Sequence, residues 1–285
     1  MSIICGVPIL ECIYCLACAR WVWKRCLHTA GHDSETWGLA TAEEFEPVPR
    51  LCRYILAVYE EDIRNPLWEP PGGYGINPDC LLLKKTYDDT LGQAPPYILY
   101  IDHEHNDIVL AIRGLNLAKE SDYAVLLDNK LGKRNFDSGY VHNGLLNAAK
   151  WIFDVECEFL RDLAGKYTSY CLILTGHSLG SGVASLLTMV ALQNRERLGN
   201  IERKRIKCYA IAPASLPCLL SLRCLRDTCI PEEKMLKDPR RLYAPGRLYH
   251  IVERKPFRHA KNASWLQDGQ VSTSSEDSSA CGWAV

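Results

Sequence analysis

The pentapeptide Gly176-His177-Ser178-Leu179-Gly180 constrains the fold of this chain more than any other stretch. With 19 glycines and 16 serines among 285 residues, random order would give about 0.07 copies of Gly-x-Ser-x-Gly. Its context adds to that. Tyr170-Cys171-Leu172-Ile173-Leu174-Thr175 precedes it as a short apolar run that reads as a buried strand, and Ser181 to about Arg197 follows as a helix. A serine on a sharp strand-to-helix turn has its hydroxyl pushed clear of the sheet, and the flanking glycines tolerate the crowding. The bland alternative, a glycine-rich turn with a small polar residue, is disfavoured by that strand and helix.

The flanking sequence alternates in the same way. Residues 41–60 read as helix with an internal break at Pro47 and Pro49, and 65–79 as a loop rich in Pro and Gly. Two β-branched apolar runs, 96–101 and 108–112, flank the polar stretch from Asp102 to Asp107 and predict a hairpin. From Asn143 to Lys166, Leu145, Ala149, Ile152, Phe153, Leu160 and Leu163 follow one helical face, interrupted by Glu156. Further strands are expected at 207–212 and 248–252. Strands separated by helices predict an α/β sheet with right-handed crossovers. The boundaries read as an N-terminal segment 1–30, a second region 31–95, a main domain 96–258, and a serine-rich tail 259–285 expected to be disordered.

Charge excludes one class of partner. Lys and Arg total 33 against 34 for Asp and Glu, so nothing marks a nucleic-acid-binding surface. The 14 cysteines are the anomaly, and in a chain with a large apolar core they do not read as a disulfide framework. Cys5, Cys12, Cys15 and Cys18 lie in a run from Ile3 to Trp23 that is apolar apart from Glu11 and Arg20 and ends in Lys24-Arg25. A central carboxylate disfavours a membrane span, and no basic leader or cleavage site marks a secretory signal. Residues 3–25 therefore read as an interfacial helix S-acylated at Cys5, Cys12, Cys15 and Cys18, holding the chain at the cytoplasmic face of a membrane. The alternatives are a helix packed on the domain, or ligation of a metal or iron–sulfur cluster by Cys12, Cys15 and Cys18, for which no second ligand group lies nearby.

A serine becomes a nucleophile when a histidine, held by a carboxylate, takes its proton, and two backbone N–H groups must face the developing oxyanion. Leu179 follows the serine and supplies one amide. The run from Ile108 to Ile112 ends in Arg113-Gly114, so Leu115 is the candidate for the other, unless that pair is an ordinary strand-end turn.

These residues carry a family resemblance. Val109 to Gly114, Val141-His142-Asn143-Gly144, Thr175 to Gly180 and Cys208 to Pro213 occur in the order and spacing of class 3 lipases. The chain resembles the plant members related to sn-1-specific diacylglycerol lipases, over about residues 40–214 and again from Asp238 to Arg258. The resemblance implies an α/β-hydrolase sheet with flanking helices that cleaves acylglycerol esters through an acyl-Ser178 intermediate. Nothing in the sequence demands a metal or organic cofactor. The resemblance assigns His142 to a structural motif and leaves His177 beside the sheet. Many relatives have Ser or Thr at the Leu115 position, whose hydroxyl helps hold the oxyanion loop.

The pattern breaks after Pro213. Ser215 to Cys229 is punctuated by proline and cysteine, and no strand ending in Asp follows. The candidates for the base are His250 and His259, and for its orienting carboxylate Asp227 and Asp238. His250 lies inside an expected strand, His259 at the edge of the tail, Asp227 and Asp238 in loop contexts. The expectation is a shortened class 3 lipase with its C-terminal part incomplete, from an alternative transcript or a faulty gene model. Two readings compete with a working lipase: an inactive membrane-associated lipid-binding or scaffold form, and a metal-binding protein using Cys218, Cys224 and Cys229 with the N-terminal cysteines.

Overall fold

The computed structural model describes residues 38–116, 118–128, 134–136, 139–212, 247–252, 270–274 and 283–284. They fall into two units. The smaller takes Met1–Ala40, Cys218–Lys237 and Tyr249–Ser274, and its described part is a three-stranded sheet in the order Gly38–Leu39, Gln270–Ser274, Leu248–Val252. The larger takes Thr41–Pro217, Asp238–Leu248 and Ser275–Val285 and carries Ser178.

The larger unit is built on a mixed sheet. Its strands are β1 (Leu81–Lys85), β2 (Tyr97–Asp102), β3 (Asp107–Ile112), β4 (Cys171–His177) and β5 (Ile206–Ile211). β1, β2 and β3 pair antiparallel; β3, β4 and β5 pair parallel; Trp283–Ala284 adds to the outer side of β5. The helices are α1 (Ala42–Phe45), α2 (Pro47–Ala57), α3 (Tyr87–Thr90), α4 (Glu120–Leu127), α5 (Asn143–Lys166) and α6 (Leu179–Gln193). The α/β expectation therefore holds.

The central strands read as unbroken apolar runs because both faces are covered. Ile108, Leu110, Ile112, Leu172 and Leu174 join the core beneath α5 and α6, while Val109, Ala111 and Ile173 join Leu51, Tyr54 and Ile55 of α2. Each such side chain contributes about 1.5–3 kcal/mol by leaving water. Of the region read from the sequence as 31–95, residues 41–95 lie within the larger unit and supply one cover of its sheet.

Glu156, the interruption in the α5 face, is 5% exposed and accepts the Tyr97 hydroxyl at 2.7 Å. Burial, reinforced by that bond, pushes the Tyr97 phenol well above its ordinary pKa and keeps it protonated. Arg205 donates to the carbonyls of Tyr167 and Tyr170, both at 2.8 Å, closing the C-terminal end of α5.

Sequence reading and structure differ at three places. The break at the prolines is real, with Glu46 between α1 and α2, but Pro47 and Pro49 lie in the first turn of α2, where a missing N–H costs no helical bond. β1, α3 and α4 were not expected; β1 is a partly exposed edge strand without alternation, α3 is one turn closed by a Thr86–Asp89 capping box, and α4 has no side-chain cap and buries only Asp122 and Val125. The stretch 259–285 contains two short strands, Gln270–Ser274 and Trp283–Ala284, where disorder was expected. Val271 and Thr273 give the first of them β-branched residues at alternate positions.

The hairpin turn between β2 and β3 anchors α2. Arg50 donates to Asp102 at 2.6 Å and to Asp107 at 2.9 Å, and Tyr54 donates to Asp102 at 2.8 Å. Burial raises the Asp107 pKa, whereas at Asp102 the bonds from Tyr54 and His105, with Arg50 beside them, outweigh burial and lower it. Removing one partner of a buried ion pair leaves uncompensated charge. Arg50→Met is therefore expected to cost about 3–5 kcal/mol in urea unfolding. Adding Asp102→Asn and Asp107→Asn to that variant should recover much of the loss; a loss under about 1 kcal/mol for Arg50→Met would show a solvent-screened pair.

Candidate active site

β4 delivers Ser178 to a sharp turn from which α6 departs. Ser178 has φ +52° and ψ −115°, a sparsely populated backbone region. Such a conformation costs about 1–3 kcal/mol and persists where the surroundings over-determine it. They do so here. Its N–H donates to the Ile211 carbonyl of β5 at 3.0 Å, and its own carbonyl accepts from the Ser181 N–H, the Gly182 N–H and the Ser181 hydroxyl at 3.1, 3.3 and 2.7 Å.

The two glycines of the pentapeptide serve close approach. A Cβ on Gly176 would lie 2.5 Å from the Gly180 carbonyl, across the turn. One on Gly180 would lie 2.3 Å from the Arg113 carbonyl oxygen and 2.5 Å from that of Ile112. The first turn of α6 thus rests on the end of β3, with Gly180 against the carbonyls of Ile112 and Arg113. Neither the Leu179 nor the Leu115 N–H has a hydrogen-bond partner among the described residues.

Around Leu115 the backbone is held by residues the sequence analysis did not single out. Gly114 N–H donates to the Tyr59 hydroxyl at 2.9 Å, and Asn116 N–H to Asp122 Oδ2 at 2.7 Å. Tyr87 donates its hydroxyl to the same oxygen at 2.8 Å. The Arg113 guanidinium lies over the rings of Tyr59 at 4.5 Å and Tyr87 at 5.6 Å. Asp122 is 1% exposed, and burial raises its pKa against the opposing pull of the Asn116 N–H and the Tyr87 hydroxyl.

The histidines divide clearly. His142 caps α5: its Nδ1 accepts the Leu145 N–H at 3.3 Å while Nε2 donates to the Leu126 carbonyl at 3.0 Å. Both ring nitrogens are committed, and burial lowers the pKa. The His177 imidazole stands against the Gly114 backbone, its pKa also lowered by partial burial. The Ser178 hydroxyl has no hydrogen-bond partner among the described residues. Of the four triad candidates, Asp227, Asp238 and His259 lie outside the described residues, as do Cys218, Cys224, Cys229 and the N-terminal segment. His250 falls in the strand Leu248–Val252, where one was expected. Among the described residues no helix is long and apolar enough to cross a membrane.

The family follows from comparison with known sequences. Residues 9–76 match the lipase 3 N-terminal region, and residues 109–217, which contain Ser178, match lipase (class 3). Together the two matches span more than half of the chain. The chain belongs to the class 3 lipase family. Diacylglycerol lipase-beta of Mus musculus is 30% identical over 103 residues, which are 33% of this class 3 lipase chain and 15% of that relative. Solved structures similar to it include Rhizomucor miehei triacylglyceride lipase, at 17% identity and a TM-score of 0.45 over 60% of this chain and 63% of that one. The Lip2 lipase of Yarrowia lipolytica is 19% identical, with a TM-score of 0.43 over 61% and 60%. The chain therefore spans less than two thirds of each of these relatives.

The capping role of His142 has a measurable pH signature. Its folded pKa lies below the ~6.5 of an unfolded histidine, so under that pH the unfolded chain binds more protons. This contribution to stability is full above about pH 6.5 and is lost as pH falls through the folded pKa. His142→Asn, which caps without titrating, should flatten the fall in melting temperature between about pH 7.5 and pH 5. An unchanged slope would place the titration elsewhere.

Proposed function

We propose that this class 3 lipase chain is a serine hydrolase that cleaves acylglycerol esters through an acyl-Ser178 intermediate. The observation that carries this reading is the strained backbone of Ser178, held between β4 and α6 beside two unpaired N–H groups. Ser178 Oγ attacks the ester carbonyl carbon while its proton passes to a base, for which His250 and His259 are the candidates, oriented by Asp227 or Asp238. Negative charge gathers on the carbonyl oxygen, where the Leu115 and Leu179 amides receive it. The bond to the glycerol oxygen then breaks, the alcohol leaves with the proton, and water releases the fatty acid. Residues 3–25, S-acylated at their cysteines, hold the chain on the cytoplasmic face of the membrane that supplies the substrate.

A second reading, a membrane-associated lipid-binding or scaffold form without turnover, is favoured by the sequence from Ser215 to Cys229, which is punctuated by Pro217, Cys218, Cys224 and Cys229 and does not read as a strand leading into an aspartate.

Hydrolysis of diacylglycerol and of short-chain p-nitrophenyl esters by the full chain tests the two. The serine reading predicts turnover that Ser178→Ala lowers by a thousandfold or more, on the order seen when a nucleophile is removed. Equal turnover in the variant would remove Ser178 from the chemistry. Undetectable turnover in both, with lipid still bound, would favour the second reading.

A further inference from the structure

The oxyanion loop of this chain lacks the device expected at its centre. Leu115 has no side-chain hydroxyl, so nothing on that residue ties its peptide in place. The structure supplies two ties from outside. The Leu115 N–H belongs to the peptide that lies between two pinned neighbours. On one side the Gly114 N–H is held by the Tyr59 hydroxyl at 2.9 Å. On the other the Asn116 N–H is held by Asp122 Oδ2 at 2.7 Å. Asp122 is itself fixed, since its oxygen also receives the Tyr87 hydroxyl and the residue is 1% exposed on α4. A charge-assisted bond from a buried carboxylate to a backbone N–H is among the stronger hydrogen bonds a protein makes. With the peptides on both sides fixed, little rotation remains for the one between them.

We infer that Asp122, set by the Tyr87 hydroxyl, is a positioning residue: it holds the Asn116 peptide, and through it the Leu115 N–H, where the oxyanion of the tetrahedral intermediate forms. The inference rests on the serine-hydrolase reading of Ser178. An oxyanion donor acts by being fixed in advance, so a donor displaced but not deleted lowers the rate by less than the hundredfold or more that deletion costs.

The test uses the full chain and three variants, Asp122→Ala, Asp122→Asn and Tyr87→Phe, with amide hydrogen exchange and ester kinetics as separate readouts. Both bonds fall on one oxygen of Asp122, so the single amide oxygen of Asn can accept both. Asp122→Ala is expected to speed exchange at Asn116 about tenfold or more while β3 and β4 stay protected. It should lower kcat by roughly tenfold to a hundredfold with KM within about twofold, because only the transition state feels the displaced donor. Asp122→Asn should restore most of both, and Tyr87→Phe should fall between. A general loss of structure would raise exchange throughout and would not be rescued selectively by Asn.

Unchanged exchange at Asn116 in Asp122→Ala, or changed exchange with kcat as in the parent chain, overturns the inference. A parent chain with no turnover sinks the serine-hydrolase reading instead, and the exchange data alone then decide whether Asp122 holds the peptide.

Discussion

Everything at the site depends on how closely the first turn of α6 approaches the end of β3. Gly180 sits where any side chain would overlap the carbonyls of Ile112 and Arg113, and Gly176 where one would overlap Gly180. That approach accompanies the positive-φ turn of Ser178, and it brings the residue after Leu179 against the strand end at Ile112 and Arg113. Ser178 and the Leu179 N–H thus lie at one packing contact between a helix and a strand end. The surrounding structure fixes that contact through the Ile211 carbonyl on one side and the Ser181 hydroxyl on the other.

A turn of this kind stays put only if the strands under it do. β3 and β4 are buried on both faces, by α5 and α6 beneath and by α2 above. The cover from α2 is itself tied at the far end of the hairpin by Arg50, Asp102 and Asp107. At the near end, Tyr59, just past α2, reaches the Gly114 N–H. The N-terminal part of the larger unit thus touches both ends of β3, at Asp107 and just past it at Gly114.

The parts of this arrangement that were legible in the sequence are those written locally. The apolar run ending at Thr175, the pentapeptide and the periodic face of α5 each specify an element from adjacent residues, and Glu156 stood out as the one polar interruption of that face. What could not be read are contacts between residues far apart in the chain. Asp122 lies in an ordinary helix-forming stretch, and nothing near it announces a bond to Asn116 or to Tyr87, 35 residues away. Arg50 likewise reads as a surface residue of an amphipathic helix until the hairpin turn is placed beneath it. β1 was missed for a related reason: an edge strand exposes part of each side, so Leu81 to Lys85 carries no clean alternation. A catalytic histidine has no local pattern of its own either, which is why His250 and His259 stood as equals in the sequence.

The central claim is that the backbone around Ser178 presents an activated nucleophile. Incubating the purified, folded chain with a fluorophosphonate and mapping the adduct by mass spectrometry tests it directly, because the reagent reacts with a serine whose proton a base has taken and imitates the tetrahedral intermediate. The account predicts a single adduct on Ser178, absent from Ser178→Ala. A chain that melts cooperatively yet carries no adduct at Ser178 would contradict it.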